Sequence, residues 1–349
     1  MHKKTTEILS RMRESILNGK FSGIPFLPSE RELCQDYGLS RGALRSLLEV
    51  LESEKLLQRI PGRGMKVLSL YERSTHHRLL LVLPSRSMQA NEIAELLRGT
   101  AIAAEENNAE VVLFFQGGNL DGTRLLTRLS ENQWSGVILY ELYSEELLTA
   151  LQDGGYRYCI TNSENGSDSP AVRVDFRAIG RMAGRYLIEH GLKRIGFIGG
   201  CGLLRNFHYT EMKAGLKGSL AEEDLELEKR LVFHVPSKTP ETVPQIASAL
   251  KEMAGQRCAI FAGRDHWAAS VFEACHLANL RIPEDVAVLG YDGLSWPDAA
   301  QMGLTSILQP AVETGQAPVR LLCQAAEQNT PLPPLTLIPP GRILERTSV

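Results

Sequence analysis

The chain has 349 residues, 43% of them hydrophobic and 23% charged, a size and balance that predict two or three well-packed domains and exclude disordered, collagen-like and fibrous chains. No run of 18 apolar residues and no secretory signal core occurs, which predicts a cytoplasmic protein with no membrane partner. The net charge of -3 conceals an asymmetry: residues 1–75 hold 13 Lys and Arg against 9 Asp and Glu, the remainder 25 against 32, so the head is the part suited to a polyanion.

In chain order, residues 5–18 place Leu9, Met12 and Ile16 on one helical face and stop at Gly19. Residues 27–57 contain two further helices. Ser29 and Glu32 form a capping box, the helix it opens ends near Tyr37 and Gly38, and Ser40 caps the next, whose buried stripe is Leu44, Leu47, Leu48 and Leu51. So tight a turn predicts a helix-turn-helix with its second helix in a DNA major groove. Arg41 and Arg45 lie four apart at its start, and arginine is shaped for bidentate contact with guanine or phosphate. The alternating runs around Pro61-Gly62-Arg63-Gly64 then predict a hairpin wing, with Arg63 at its tip and glycines that let the backbone approach phosphate.

From about residue 5 to residue 68 the chain resembles the GntR family of winged-helix regulators, on the strength of LPSERELCQDYGLSRGALRSLL. The resemblance implies DNA contacts from Arg31, Ser40, Arg41, Arg45 and the wing around Gly62, Arg63 and Gly64. Gly42, also placed among the DNA contacts, stands where that family usually carries threonine or proline.

Residues 71–77 are expected to be a linker with no DNA-binding hinge helix, and His76 and His77 are read as its polarity, not as metal ligands. From residue 78, apolar runs at 79–83, 111–115, 136–140, 157–161, 171–175, 194–200, 230–235, 258–263 and 286–292 alternate with helical patterns such as 91–107. Continuous apolar strands joined by helices predict parallel sheets, and about ten strands predict two doubly wound α/β lobes. Ser85, Asn162, Arg264, Asp265 and Asp292 close strands, where ligands of such folds bind. The glycines of residues 196–202 lack GxGxxG spacing and no P-loop occurs, so no nucleotide cofactor is expected. Cys34, Cys159, Cys201, Cys258, Cys275 and Cys323 lack CxxC or metal spacing and read as reduced, buried thiols.

The body resembles the effector-binding domain of the LacI/GalR family, similar in fold to periplasmic sugar-binding proteins, on VRVDFRAIGRMAGRYLIEHGLKRIGFIGG, AIFAGRDHWAASVFEACHLANLRIPEDVAVLGYDG, LTSILQP and GRILERTS. The resemblance implies a dimer of two-lobed bodies and a small ligand near Phe261, Arg264, Asp292 and Gln309. Phe176 replaces the family's asparagine after Val-Asp, and Met212 stands three residues before Gly215, where the family's ligand-gripping arginine is expected. The effector expected is a sugar, sugar acid or related metabolite: these departures favour an anionic or partly apolar ligand, such as a sugar acid, a glycoside or a heterocycle, and an ordinary sugar is expected instead if Arg205, seven residues before Met212, lines the cleft. Lobe 1 is expected over about 78–161 and 291–315, lobe 2 over about 162–290 and 316–349.

The chain thus reads as a winged helix-turn-helix (residues 1–70) on a periplasmic-binding-protein-like α/β body (78–349). The expected function is that of a transcriptional regulator, a repressor, binding an inverted-repeat operator in double-stranded DNA as a homodimer under control of a small effector, without catalysis or cofactor. Two rivals are weighed: a winged-helix regulator fused to an aminotransferase-type body, for which 272 residues are short, and an exported binding protein, against which the head argues.

Overall fold

The computed structural model describes residues 3–17, 26–68, 77–84, 90–116, 122–141, 144–162, 169–200, 206–235, 240–253, 255–293 and 300–349. It forms two compact units, Met1–Arg78 with Asn107–Glu110, and the rest from Leu79 to Val349. The expected linker segment 71–76, Ser85 and Arg205 lie outside the described residues. His77 does not belong to a linker: it opens a strand and is buried.

In the head, α1 (Lys3–Leu17), α2 (Glu30–Tyr37) and α3 (Arg41–Ser53) enclose one apolar core of Met12, Ile16, Leu33, Leu44, Leu47, Leu48 and Leu51. The capping box closes both ways: Ser29 N donates to Glu32 Oε2 at 2.8 Å, and Glu32 N to Ser29 Oγ at 3.3 Å. Gly38, at φ +60°, ends α2 in the left-handed conformation, and Leu39 N reaches back to Cys34 O at 3.1 Å. The antiparallel strands β1 (Leu57–Ile60) and β2 (Gly64–Val67) form the wing, and Leu27 N donates to Met65 O at its base.

The body contains two six-stranded sheets. The first orders β13 (Leu335–Ile338), β7 (Ala171–Val174), β6 (Tyr158–Thr161), β5 (Gly136–Tyr140), β3 (His77–Pro84) and β4 (Ala109–Gln116). The second orders β14 (Ile343–Leu344), β12 (Thr305–Leu308), β11 (Val286–Asp292), β10 (Cys258–Ala262), β8 (Ile195–Gly200) and β9 (Val232–Val235). Pairing is parallel along β13-β7-β6-β5-β3 and along β12-β11-β10-β8-β9, and β14 runs antiparallel to β12. The runs expected as strands are therefore strands, and three more, β12, β13 and β14, were too short or too mixed to be read from periodicity.

Around the first sheet lie α4 (Ala90–Glu106), α5 (Thr123–Ser130), α6 (Glu145–Asp153) and α11 (Ala311–Gln328), with α11 packed on α4, β5, β6 and β7. The second carries α7 (Phe176–Glu189), α8 (Asn206–Ala221), α9 (Thr242–Glu252) and α10 (Asp265–Ala278). The close packing of α7 on α8 depends on small residues: a Cβ on Gly180 would strike Met212 O, and one on Gly215 would strike Arg177 O.

The expected lobe limits are corrected. Residues 171–174 pair with β6 and β13 in lobe 1, residues 291–308 remain with β11 and β12 in lobe 2, and residues 316–338 return to lobe 1 as α11 and β13. The chain thus crosses after β7, β12 and β13. Apolar periodicity identifies a strand but not the sheet that accepts it, which is why these limits were misplaced. Backbone bonds tie the crossings: Asp175 N donates to Ile338 O at 2.8 Å and Leu308 N to Arg342 O at 2.9 Å.

Candidate functional site

The head presents its arginines on a rigid frame. Ser40 Oγ accepts from Ala43 N at 3.3 Å and so fixes the first turn of α3, while Leu44, Leu47 and Leu48 anchor the opposite face. Arg41 and Arg45 are exposed, as are Arg31 on α2 and Arg63 on the wing. Arg45 is held by Glu30 through Nε–Oε2 and Nη2–Oε2 contacts of 3.1 and 3.0 Å. This exposed pair is one a phosphate or a guanine edge can replace at little cost. Around Gly42, at a Cβ position, nothing lies within 4 Å, so packing does not demand glycine there. Gly62 at φ +74° and Gly64 at φ +106° do need their freedom to turn the wing, whose Arg63 guanidinium lies 5.1 Å from the Phe26 ring centroid.

In the body, the described strand ends carry a buried ion pair. Arg264, 7% exposed, precedes α10, and its Nη1 donates to Asp292 Oδ2 at 3.2 Å, with Asp292 wholly buried at the end of β11. Asp292 has φ +142°, a backbone state costly for a side chain and typical of residues held for a ligand or a switch. Asp265 is not available as a ligand contact: Oδ1 accepts from Ser306 Oγ and Oδ2 from Gly293 N, each at 2.7 Å, so it braces the ends of β11 and β12. Burial pushes its carboxyl up to about 6 against the opposing pull of those two bonds.

Asn162, at φ +52°, joins lobe 1 strands, donating to Tyr140 Oη and accepting from Val174 N, each at 3.4 Å. Gln309 is buried, and its backbone N donates to Asp292 O at 3.0 Å. Two expectations are corrected. Phe261 is wholly buried and tilted against Phe197 at 5.7 Å, and Met212 is 1% exposed in the same apolar cluster, because both face the interior of lobe 2. Neither offers a ligand surface.

Sequence reasoning missed an aromatic group. Phe176 stacks on His208 with centroids 4.0 Å apart and meets Tyr291, the neighbour of Asp292, edge-on at 6.4 Å. Beside it a cavity of about 380 Å³ opens at the β7–α7 crossing, lined by Arg173, Phe176, Arg181 and Phe207 among others, with the Arg173 guanidinium 4.6 Å from the Phe207 centroid. The only sequence signal was Phe176 standing in an asparagine position.

Comparison with known proteins matches residues 4–67 to "Bacterial regulatory proteins, gntR family" and residues 184–349 to "Periplasmic binding protein-like domain". The chain is a transcriptional regulator that joins a gntR-type DNA-binding head to a periplasmic-binding-protein-like effector domain. Its relatives include the HTH-type transcriptional regulator CelR of Thermobifida fusca, 28% identical over 69% of this chain and 71% of that protein. Catabolite control protein A of Priestia megaterium is 25% identical over 68% of this chain and 72% of its own length. A solved transcriptional regulator CelR-cellobiose complex shares the fold, with a TM-score of 0.63 at 22% identity over 93% of this chain and all of that one. These relatives are regulators, and the aminotransferase-type body is set aside. Among the described residues no helix is long and apolar enough to cross a membrane, and no cluster of His, Cys, Asp or Glu is placed to hold a metal.

Proposed function

We propose that this regulator acts in the cytoplasm as a homodimeric repressor on an inverted-repeat operator, each head inserting α3 into a major groove. The observation that carries this reading is the exposed Arg41 and Arg45 on a helix start fixed by Ser40. Dimerisation is supported by the apolar residues Leu113 and Phe115, 42% and 54% exposed on edge strand β4, and by Leu277, 54% exposed near the end of α10.

The effector site of the proposal is the cleft formed where strand ends of the two lobes converge, around Phe176, His208, Tyr291, Arg264 and Asp292. A stacked aromatic surface suits the apolar face of a sugar or heterocycle, Asp292 suits hydroxyls or ring N–H groups, and Arg264 suits a carboxylate. The favoured effector is therefore a sugar acid or glycoside, with cellobiose, the ligand in the related complex, as the neutral comparison. Binding there alters operator affinity by linkage. The test is fluorescence anisotropy on DNA from upstream of the gene, titrated with a panel of sugar acids, glycosides and cellobiose. A saturable change in operator affinity supports the reading; operator binding that no member alters, with no ligand-induced thermal stabilisation, refutes the effector half.

A further inference from the structure

In lobe 2 a cavity of about 610 Å³ lies between α8 and the chain leading into β9. Its lining joins Lys213 and Lys217, one turn apart on α8, to Lys229, over apolar ground supplied by Leu225, Leu227 and Val232. At its edge Lys213 Nζ donates to His234 Nε2 at 2.9 Å. The charges converge without compensation. Among the described residues no carboxylate lies within ion-pair distance of any of the three lysines, whereas two arginines of α7 are paired, Arg177 with Glu211 and Arg185 with Glu222. Glu226 is the one acid among the described lining residues, and it makes no ion pair with them.

The electrostatics carry the mark of that crowding. Burial first, and Lys217 second, pull the Lys213 ammonium below its ordinary range, while burial, Lys213 and Lys217 do the same to His234. Cations gathered in a concave, partly apolar site are destabilising to the empty protein and are relieved when an anion enters. The volume falls in the range of small-molecule sites.

We infer that this pocket is a second ligand site, outside the interlobe cleft, for a small organic anion: a phosphate or carboxylate group held by Lys213, Lys217 and Lys229, with a short apolar body on Leu225, Leu227 and Val232. Phosphate ester and carboxylic acid share this chemistry. The Arg264–Asp292 pair takes no part, so the two sites can be separated by mutation.

Isothermal calorimetry on the full chain with phenyl phosphate, hexanoate, inorganic phosphate and benzyl alcohol tests it. Saturable binding of one phenyl phosphate or one hexanoate per chain is expected, at least about tenfold tighter than inorganic phosphate, with no binding of benzyl alcohol. Which of the two organic anions binds more tightly identifies the head group. Lys217→Met with Lys229→Met, both exposed and unpaired, should weaken binding about tenfold or more at unchanged melting temperature, and Asp292→Asn should leave it intact. The inference is overturned by no saturation up to about 10 mM, by inorganic phosphate or benzyl alcohol binding as well as the organic anions, by full affinity in the double variant, or by loss of binding in Asp292→Asn.

Discussion

The Arg264–Asp292 pair makes a measurable contribution to the stability of the body. Replacing Arg264 with methionine leaves the Asp292 carboxylate, wholly buried, without its guanidinium. Breaking a buried pair in this way costs about 3–5 kcal/mol, because the remaining charge loses its guanidinium where water cannot replace it. For a unit of this size each kcal/mol lowers the melting temperature by about 2–4 °C, so the body should melt roughly 6–20 °C earlier. Asp292→Asn keeps the shape and removes the charge, and combining it with Arg264→Met should recover part of the loss, giving a coupling energy of about 1–3 kcal/mol in a double-mutant cycle. Urea unfolding of the four proteins, with the body transition followed separately from the head, supplies every number. A cost below about 1 kcal/mol for Arg264→Met, or a double variant no more stable than that single one, would refute the account of a desolvated, mutually dependent pair.

Arg41→Ala and Arg45→Ala should each weaken operator binding by about 1–3 kcal/mol and flatten its salt dependence while the head stays folded, as gel-shift titrations at several salt concentrations and circular dichroism can check. Phe115→Glu with Leu277→Glu should turn a dimer into monomers in analytical ultracentrifugation; a dimer unchanged in both sites would place the interface elsewhere. Asp265 gives a pH signature. Its carboxyl is raised in the folded state from 3.8 to about 6, so its contribution to stability is present in full below about pH 4 and is lost as pH rises through about 6, by roughly 3 kcal/mol. Unfolding free energies of wild type minus Asp265→Asn should fall by about that amount from pH 4 to pH 7, and a flat difference would mean the carboxylate is better solvated than its burial implies.

The head was legible because its signals are local. A capping box, a left-handed glycine and a leucine stripe each act within a few residues, and Ser29, Glu32, Gly38 and Leu44 sit in the structure as their spacing requires. The cores of the body strands were legible for the same reason, being continuous apolar runs. What the sequence concealed was long-range. Nothing in residues 171–174 or 335–338 reveals that they lie side by side, and nothing near Met212 reveals that glycines at 180 and 215 draw α7 and α8 together and turn that methionine inward. Position relative to Gly215 was a good guide to the helix but not to the face. Likewise Asp265 looked like Asp292, a polar residue at a strand end, and only the partners Ser306 and Gly293 separate a brace from a candidate contact.

In the proposed cleft, an arginine before α10 changes what the site selects, because the pair it forms must be exchanged for interactions at least as favourable. A hydrogen bond from a neutral hydroxyl contributes about 0.5–1.5 kcal/mol and one to a charged group about 1.5–3. Hydroxyls of a neutral sugar could satisfy Asp292 yet give the guanidinium of Arg264 no carboxylate in exchange for the one it shares. A sugar acid supplies hydroxyls to the carboxylate and its own carboxylate to the guanidinium, so both charges end paired. The preference for acid over neutral sugar therefore follows the strength of the Arg264–Asp292 coupling, and substituting Arg264 with methionine should narrow that preference by weakening the acid more than the neutral ligand.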